Sequence, residues 1–456
     1  MDAVLLSRLQ FAFTLSFHIL FPTLTIGLAV FLAILEGLWL KTGEALYKRH
    51  YQFWVKLFAL TFGVGVVTGI VLSYEFGTNF SRFSAIAGSI IGPLMSYEVL
   101  TAFFMEAGFL GVMLFGWNRV GPRLHYTATL LVAAGTVMSA FWILSANSWM
   151  QTPAGAVLRD GVFYPQDWWR IVFNPSFPYR LVHMLLASLL SSSLFIAGVS
   201  AWLLLRGKDA VFARKSLKMA ITAAAIIAPL QIIAGDQHGL EVERYQPLKV
   251  AAIEGRWQTM DHAPLVLFAW PDAATRSNLY AVEIPGAASL IVKHNINAVV
   301  TGLDSAPPDQ WPYVPIVFFA FRVMVGLGLL ILAYAWCGAV LLRKQATLPR
   351  WFLRGAVWLI PAGFIATVAG WWVAETGRQP WVVYGILRTA DVASQQPASL
   401  VLASLLTFVA VYAAVMAAYL YYLLKVIRKG LEAEPIHPAA GEASPARPAF
   451  GGVEDN

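Results

Sequence analysis

The sequence predicts an all-α integral membrane protein of about nine transmembrane helices, with its N-terminus outside and its C-terminus in the cytoplasm. The first observation is composition: of 456 residues, 58% are hydrophobic and 12% are charged, against roughly 25% charged in an ordinary soluble domain. The second is length. A hydrocarbon core about 30 Å thick takes ~20 apolar residues in helix, and nine runs reach that length, at 12–38, 56–74, 92–117, 126–146, 180–205, 216–234, 313–342, 355–374 and 399–425. The third is charge alternation. Lys41, Lys48 and Arg49 follow the first run, Arg119 and Arg123 the third, and Arg206, Lys208, Arg214 and Lys215 the fifth. Arg343, Lys344 and Arg350 follow the seventh, and Lys425, Arg428 and Lys429 the ninth. Basic residues gather on the cytoplasmic side, so odd-numbered runs are expected to cross inward.

Pro229 and Pro361 fall within or beside helices, where neighbouring packing tolerates them. The apolar N-terminus has no basic stretch and no clear small-residue cleavage site, so a retained helix is expected there. The segments 147–179 and 235–312 are poor in basic residues and face outward on this topology. The longer one mixes Pro, Gly, Trp and charge, and structureless loops of that length are uncommon, so a partly ordered functional loop is expected. Residues 430–456 are rich in Pro, Ala and Gly, the composition of a disordered cytoplasmic tail.

Composition also excludes several classes. The single cysteine, Cys337, rules out an internal disulfide, a thiolate cluster and covalent c-type haem attachment. The net charge of +7 is explained by membrane orientation and gives no reason to expect nucleic acid. No internal repeat suggests inverted transporter halves.

Ionisable residues inside apolar runs cost at least ~2.5 kcal/mol at a helix centre and are usually functional. His18, His183 and Glu375, joined by Met324, all fall near the outer side of their runs on the predicted topology. Taken singly, each has an ordinary reading: the histidines as interhelix hydrogen-bonding groups, Met324 as packing, and Glu375 as a partner for Arg378. Their common depth favours another reading, because imidazole and thioether are axial haem ligands and a His/Met pair makes a six-coordinate electron-transfer iron. An iron left open on one side would suit oxygen. Glu98 and Glu106 share the third run, about 12 Å apart along an ideal helix and differing by roughly 80° around it. They are candidates for steps in a proton path, the alternative being pairs with basic groups on other helices.

The sequence resembles subunit I of the cytochrome bd-type quinol oxidases over nearly its whole length up to the tail. The matching segments are SRLQFAFTLSFHILFPTLTIG at 7–27, FGTN at 76–79, EVLTAFFME at 98–106, NSWMQTPAG at 147–155 and GDQHG at 235–239. They continue with KVAAIEG at 249–255, FRVMVGLG at 321–328 and GWWVAETGRQPW at 370–381. The resemblance implies a low-spin b haem held by His183 and Met324 with Arg322 beside it. It also implies two high-spin haems ligated by His18 and Glu375, one b-type and the other haem d or a third b-type haem. Which of the two ligands serves which haem differs within the family. Trp371 matches an aromatic residue between haems, though Trp is also a common interfacial anchor.

The same resemblance makes 235–312 a quinol-binding loop, with Lys249 and Glu254 on its functional positions and Asp236 a weaker candidate. The loop is of the short form, a branch that includes cyanide-insensitive members. Glu98, Glu106 and Lys56 match a proton route from the cytoplasm, with Ala107 standing where other members carry serine; a snorkelling lysine is the plain alternative for Lys56. The implied partners are subunit II, with or without a very small single-helix subunit, together with quinol, oxygen and membrane lipid. The implied setting is the bacterial inner membrane. Two other classes stay open on residues alone: a quinone-linked cytochrome b that only transfers electrons, and a proton-coupled transporter using Glu98 and Glu106.

Overall fold

The computed structural model describes residues 2–344 and 347–431. Among them, nine helical segments are long and apolar enough to span a membrane. In chain order the helices are α1 (Ala3–His18), α2 (Leu20–Thr42), α3 (Ala45–Thr78), α4 (Ser81–Glu98), α5 (Phe104–Phe115), α6 (Pro122–Gln151), α7 (Trp168–Val172) and α8 (Phe177–Leu205). They continue with α9 (Ala210–Tyr245), α10 (Pro247–Glu254), α11 (Ala287–Lys293), α12 (Val314–Lys344), α13 (Arg350–Trp358), α14 (Ala362–Thr376), α15 (Thr389–Val392) and α16 (Ala398–Lys429). Three antiparallel hairpins, β1–β2 (Ala156–Arg159, Val162–Pro165), β3–β4 (Leu265–Asp272, Ser277–Ile284) and β5–β6 (Trp381–Val383, Leu387–Arg388), occupy connections.

All nine predicted runs are helical, and every one extends beyond its apolar stretch. Three are interrupted, each for a local reason. A proline cannot donate and its ring crowds the carbonyl four residues back. Pro22 does this to His18, so the first span breaks at Ile19 and leaves His18 as the last residue of α1. Pro361 separates α13 from α14 in the same way. The third span contains a π turn, Val99–Phe103, between α4 and α5.

α8 is central, packing against α2, α6, α9, α13 and α14. Its buried face carries Ser188, Ser191, Ser192, Ser193 and Ser200, and small residues let membrane helices approach closely. The largest core joins α2, α3, α8 and α13 around Leu28, Trp54, Phe58, Phe195 and Phe352.

One expectation for the connections is corrected. Helix α9 runs on to Tyr245, so GDQHG, expected in the long loop, is helical. Backbone hydrogen bonding costs nothing to continue through these polar residues where the helix leaves the membrane. The rest of 246–313 is ordered as α10, β3–β4, α11 and short turns. The segment 147–179 likewise contains the end of α6, the β1–β2 hairpin and α7. Most of the tail, residues 432–456, lies outside the described residues.

Candidate functional site

Glu375, at the end of α14, anchors a densely bonded polar group. Its Oε1 accepts from Asn147 Nδ2 and Gln151 Nε2, both at 3.2 Å, and its Oε2 pairs with Arg378. The buried Arg180 guanidinium stands 3.9 Å away and bonds Asn147. Asn147 and Gln151 are one turn apart on α6 and therefore share a face. Gln151 then passes the contact outward: its Oε1 accepts from Lys249 Nζ at 2.7 Å and from Gln246 Nε2 at 3.1 Å. A continuous chain of side chains thus joins α10 to the Glu375 carboxylate.

Lys249, on α10, is buried. Burial and the nearby Arg180 pull its ammonium well below the ordinary lysine range, while Glu375 opposes them. Glu254, five residues on, is directed elsewhere and is also buried. Burial pushes its carboxyl up, against the opposing pull of Arg322 and Arg256, and its Oε2 has no hydrogen-bond partner among the described residues. Arg322 clamps this region by donating to Ile253 O at 2.7 Å and to Val266 and Leu267 carbonyls of β3. Asp236 does not join Lys249 or Glu254; it lies on α9, 3.5 Å from His294.

His183 sits on α8 with Nε2 3.2 Å from Gln231 Nε2 on α9, and its Nδ1 is buried without a partner among the described residues. His18 Nδ1 meets Thr68 Oγ1 at 2.9 Å. A glycine opens space beside three of the four candidate ligands. A Cβ on Gly235 would lie 3.2 Å from His183 Cε1, one on Gly69 would lie 3.1 Å from His18 Cε1, and one on Gly370 would lie 2.9 Å from Met324 Sδ. Trp371, next to Gly370, packs in one cluster with Ile19 and Met184, the neighbours of His18 and His183, under the Arg180 guanidinium at 5.8 Å.

Glu98 and Glu106 are closer in orientation than an ideal helix makes them. The π turn between them absorbs one residue, so they are spaced as i, i+7 and differ by only about 20°. Both face α6: Ser139 Oγ donates to Glu98 Oε1 at 2.7 Å, and Gly135, one turn earlier, lies against Glu106. Lys56 is on the exposed side of α3.

Sequence reasoning passes over several members of this arrangement. Asn147 and Gln151 were visible as polar residues at helical spacing. Arg180 opens a span. His238 has its ring centroid 5.5 Å from that of His183. Glu36 lies inside the first apolar run, Glu75 directly follows the second, and both are fully buried; Glu36 bonds His125 and Thr129 at 2.6 Å, and Glu75 bonds Thr14 at 2.6 Å and Gln10 at 3.0 Å.

Among the described residues no three His, Cys, Asp or Glu side chains converge as a bare-metal site. The donors are instead single imidazoles, a thioether and a carboxylate on different helices, residue types that would each supply one ligand to a haem iron. Fold and donor set together define a multi-pass membrane protein of the haem-binding class.

The chain belongs to the cytochrome bd terminal oxidase subunit I family, whose model matches residues 6–431. It is 34% identical to the cytochrome bd-II ubiquinol oxidase subunit 1 of Escherichia coli (strain K12), over 94% of this chain and 97% of that protein. It is 35% identical to the cytochrome bd ubiquinol oxidase subunit 1 of Bacillus subtilis (strain 168), over 98% of each. The solved structure of bd oxidase from Geobacillus thermodenitrificans superposes with a TM-score of 0.87 at 32% identity, covering 94% of this chain and 99% of that one. The chain is an oxidoreductase subunit of the bacterial inner membrane, and the oxidases of its family carry haem.

Proposed function

We propose that this chain is the quinol-oxidising, oxygen-reducing subunit of a bd-type respiratory oxidase. What supports the reading most directly is the hydrogen-bonded chain from Lys249 through Gln151 to Glu375. It couples α10, where quinol would bind, to a carboxylate suited to iron.

In this reading His183 and Met324 hold a low-spin b haem, and His18 and Glu375 ligate a high-spin b haem and either haem d or a third b haem. The haems supply electron transfer and oxygen chemistry when bound. The protein's own groups do the rest. Lys249 orients a quinol oxygen, and Glu254, buried with one oxygen lacking a hydrogen-bond partner among the described residues, takes a proton as quinol is oxidised. Arg322 fixes the helix that carries Glu254 by holding Ile253 O. Asn147, Gln151 and Arg378 hold the Glu375 carboxylate in one orientation. Glu106 and Glu98, aligned along α6, hand protons toward the oxygen side.

With the N-terminus outside, quinol protons leave to the outside while consumed protons enter from the cytoplasm. Charge is then separated without a pumping step. Residues 1–429 form the oxidase domain, 235–312 contributes the quinol site, and subunit II, with or without a very small single-helix subunit, completes the complex.

The test is an optical spectrum of the purified complex, reduced and then reduced with CO, alongside quinol-dependent oxygen uptake. A CO-sensitive high-spin signal with quinol oxidase turnover is expected. Haem spectra unmoved by CO would leave an electron-transfer cytochrome, and a colourless protein would leave a transporter.

A further inference from the structure

The β3–β4 hairpin is unusually apolar for a segment in a connection. Phe268 is 52% exposed, Trp270 59%, Val282 54% and Tyr280 85%, and Leu267, Leu279 and Ile284 are exposed beside them. A patch of this kind marks an interaction surface. Polar residues gather at the turn, where Thr275 Oγ1 donates to Asp272 Oδ2 at 2.8 Å and Arg276 is exposed, and the exposed charge within the strands is Glu283, near the end of β4 beside α12.

The apolar face is continuous with the exposed face of α12. Val323, Gly326, Leu330, Ala333, Cys337 and Val340 are exposed at alternating steps of three and four residues, forming one stripe. One turn above Val323 is Phe319, and on it pack Trp270 and Phe268, with ring centroids at 5.5 and 6.3 Å. The hairpin therefore caps this exposed apolar stripe.

Its depth follows from length. α12 has 31 residues, about 46 Å of helix, against a hydrocarbon core of about 30 Å. Centred in the membrane, the helix overhangs by about 8 Å at each end. Phe319, its sixth residue, then stands at the edge of the core. A two-stranded ribbon cannot sink deeper, because its free edges need water. At this level the requirement is met: Arg322 covers the β3 carbonyls nearest α12. Trp and Tyr favour this interfacial layer.

We propose that the β3–β4 hairpin is a membrane-surface element, its occupant being bilayer lipid in which Phe268, Trp270, Tyr280 and Val282 are immersed while the 273–276 turn stays in water. This surface would be lipid-bound whatever substrate the site takes.

The experiment uses the complete oxidase in lipid nanodiscs, with Cys337→Ser as background and nitroxide labels on Val282→Cys, Leu279→Cys and, at the turn, Ala274→Cys. Collision of each label with oxygen, which concentrates in lipid, is compared with collision with a water-soluble nickel chelate. A several-fold higher oxygen-to-nickel ratio at Val282 or Leu279 than at Ala274 is expected. Equal ratios place the hairpin in water and overturn the proposal. Protection of both hairpin labels from both reagents would mean that a protein partner covers the face, and overturns it as well. The haem spectrum of each variant verifies that the oxidase has assembled, and the two strand positions are independent of each other.

Discussion

Replacing Gly135 with alanine tests whether proton delivery depends on how α6 holds Glu106. A Cβ at this position would lie 2.5 Å from Glu106 Cγ and 3.4 Å from both Glu106 Cδ and Ala102 O. Restoring ordinary contact requires the Glu106 side chain to withdraw by about 0.9 Å, and overpacking of this kind typically costs ~1–3 kcal/mol. A displacement near 1 Å at a reacting group can cost ~100-fold in rate, so turnover should fall roughly ten- to a hundredfold. The loss should be confined to the proton-consuming half of the cycle. Stopped-flow reduction of the haems by quinol should keep its rate, while steady-state oxygen uptake falls. In a double-mutant cycle, Gly135→Ala should add nothing to Glu106→Gln, because the group it displaces no longer carries a proton. Normal oxygen uptake in Gly135→Ala would refute the role of this contact. A further loss in the double variant would show that the alanine acts elsewhere.

His183→Ala and Met324→Leu should each abolish the low-spin haem signal in the optical spectrum, whereas Glu375→Ala should disturb a high-spin haem and leave the low-spin one. Gln151→Leu removes the acceptor of the buried Lys249 amino group, and leaving a buried donor unsatisfied costs about 1–3 kcal/mol. It should raise the quinol KM roughly ten- to a hundredfold and also shift the high-spin spectrum through Glu375. Glu254 has a carboxyl pushed up by burial, and only its ionised form accepts a proton. Turnover should therefore fall as pH drops through that raised value, and Glu254→Gln should lower turnover and remove this acid limb from the pH profile.

Much of the fold could be read from residues because membrane insertion depends on local sums. Twenty apolar residues suffice to make a span whatever they pack against, so all nine were visible, and an ionisable group within one announces itself by its cost. His18, His183 and Glu375 were found on that rule. Glu36 satisfies the same rule and Glu75 directly follows a run, and only the fold shows how completely their carboxylates are bonded.

What the chain alone determined is the number of spans, the residue types available to hold haem, and, through the matching motifs, the family. The three-dimensional structure decided how those residues meet. Gln151 and Glu375 are 224 residues apart in sequence, and Gln151 and Lys249 are 98 apart; no local periodicity relates them, because their geometry comes from how α6, α10 and α14 pack. The angle between Glu98 and Glu106 was misread for a related reason. Hydropathy reports which residues enter the membrane and assumes a regular helix, whereas one π turn rotates everything beyond it. The end of α9 likewise depends on hydrogen bonding that continues past the apolar run, which is why Asp236 proved helical.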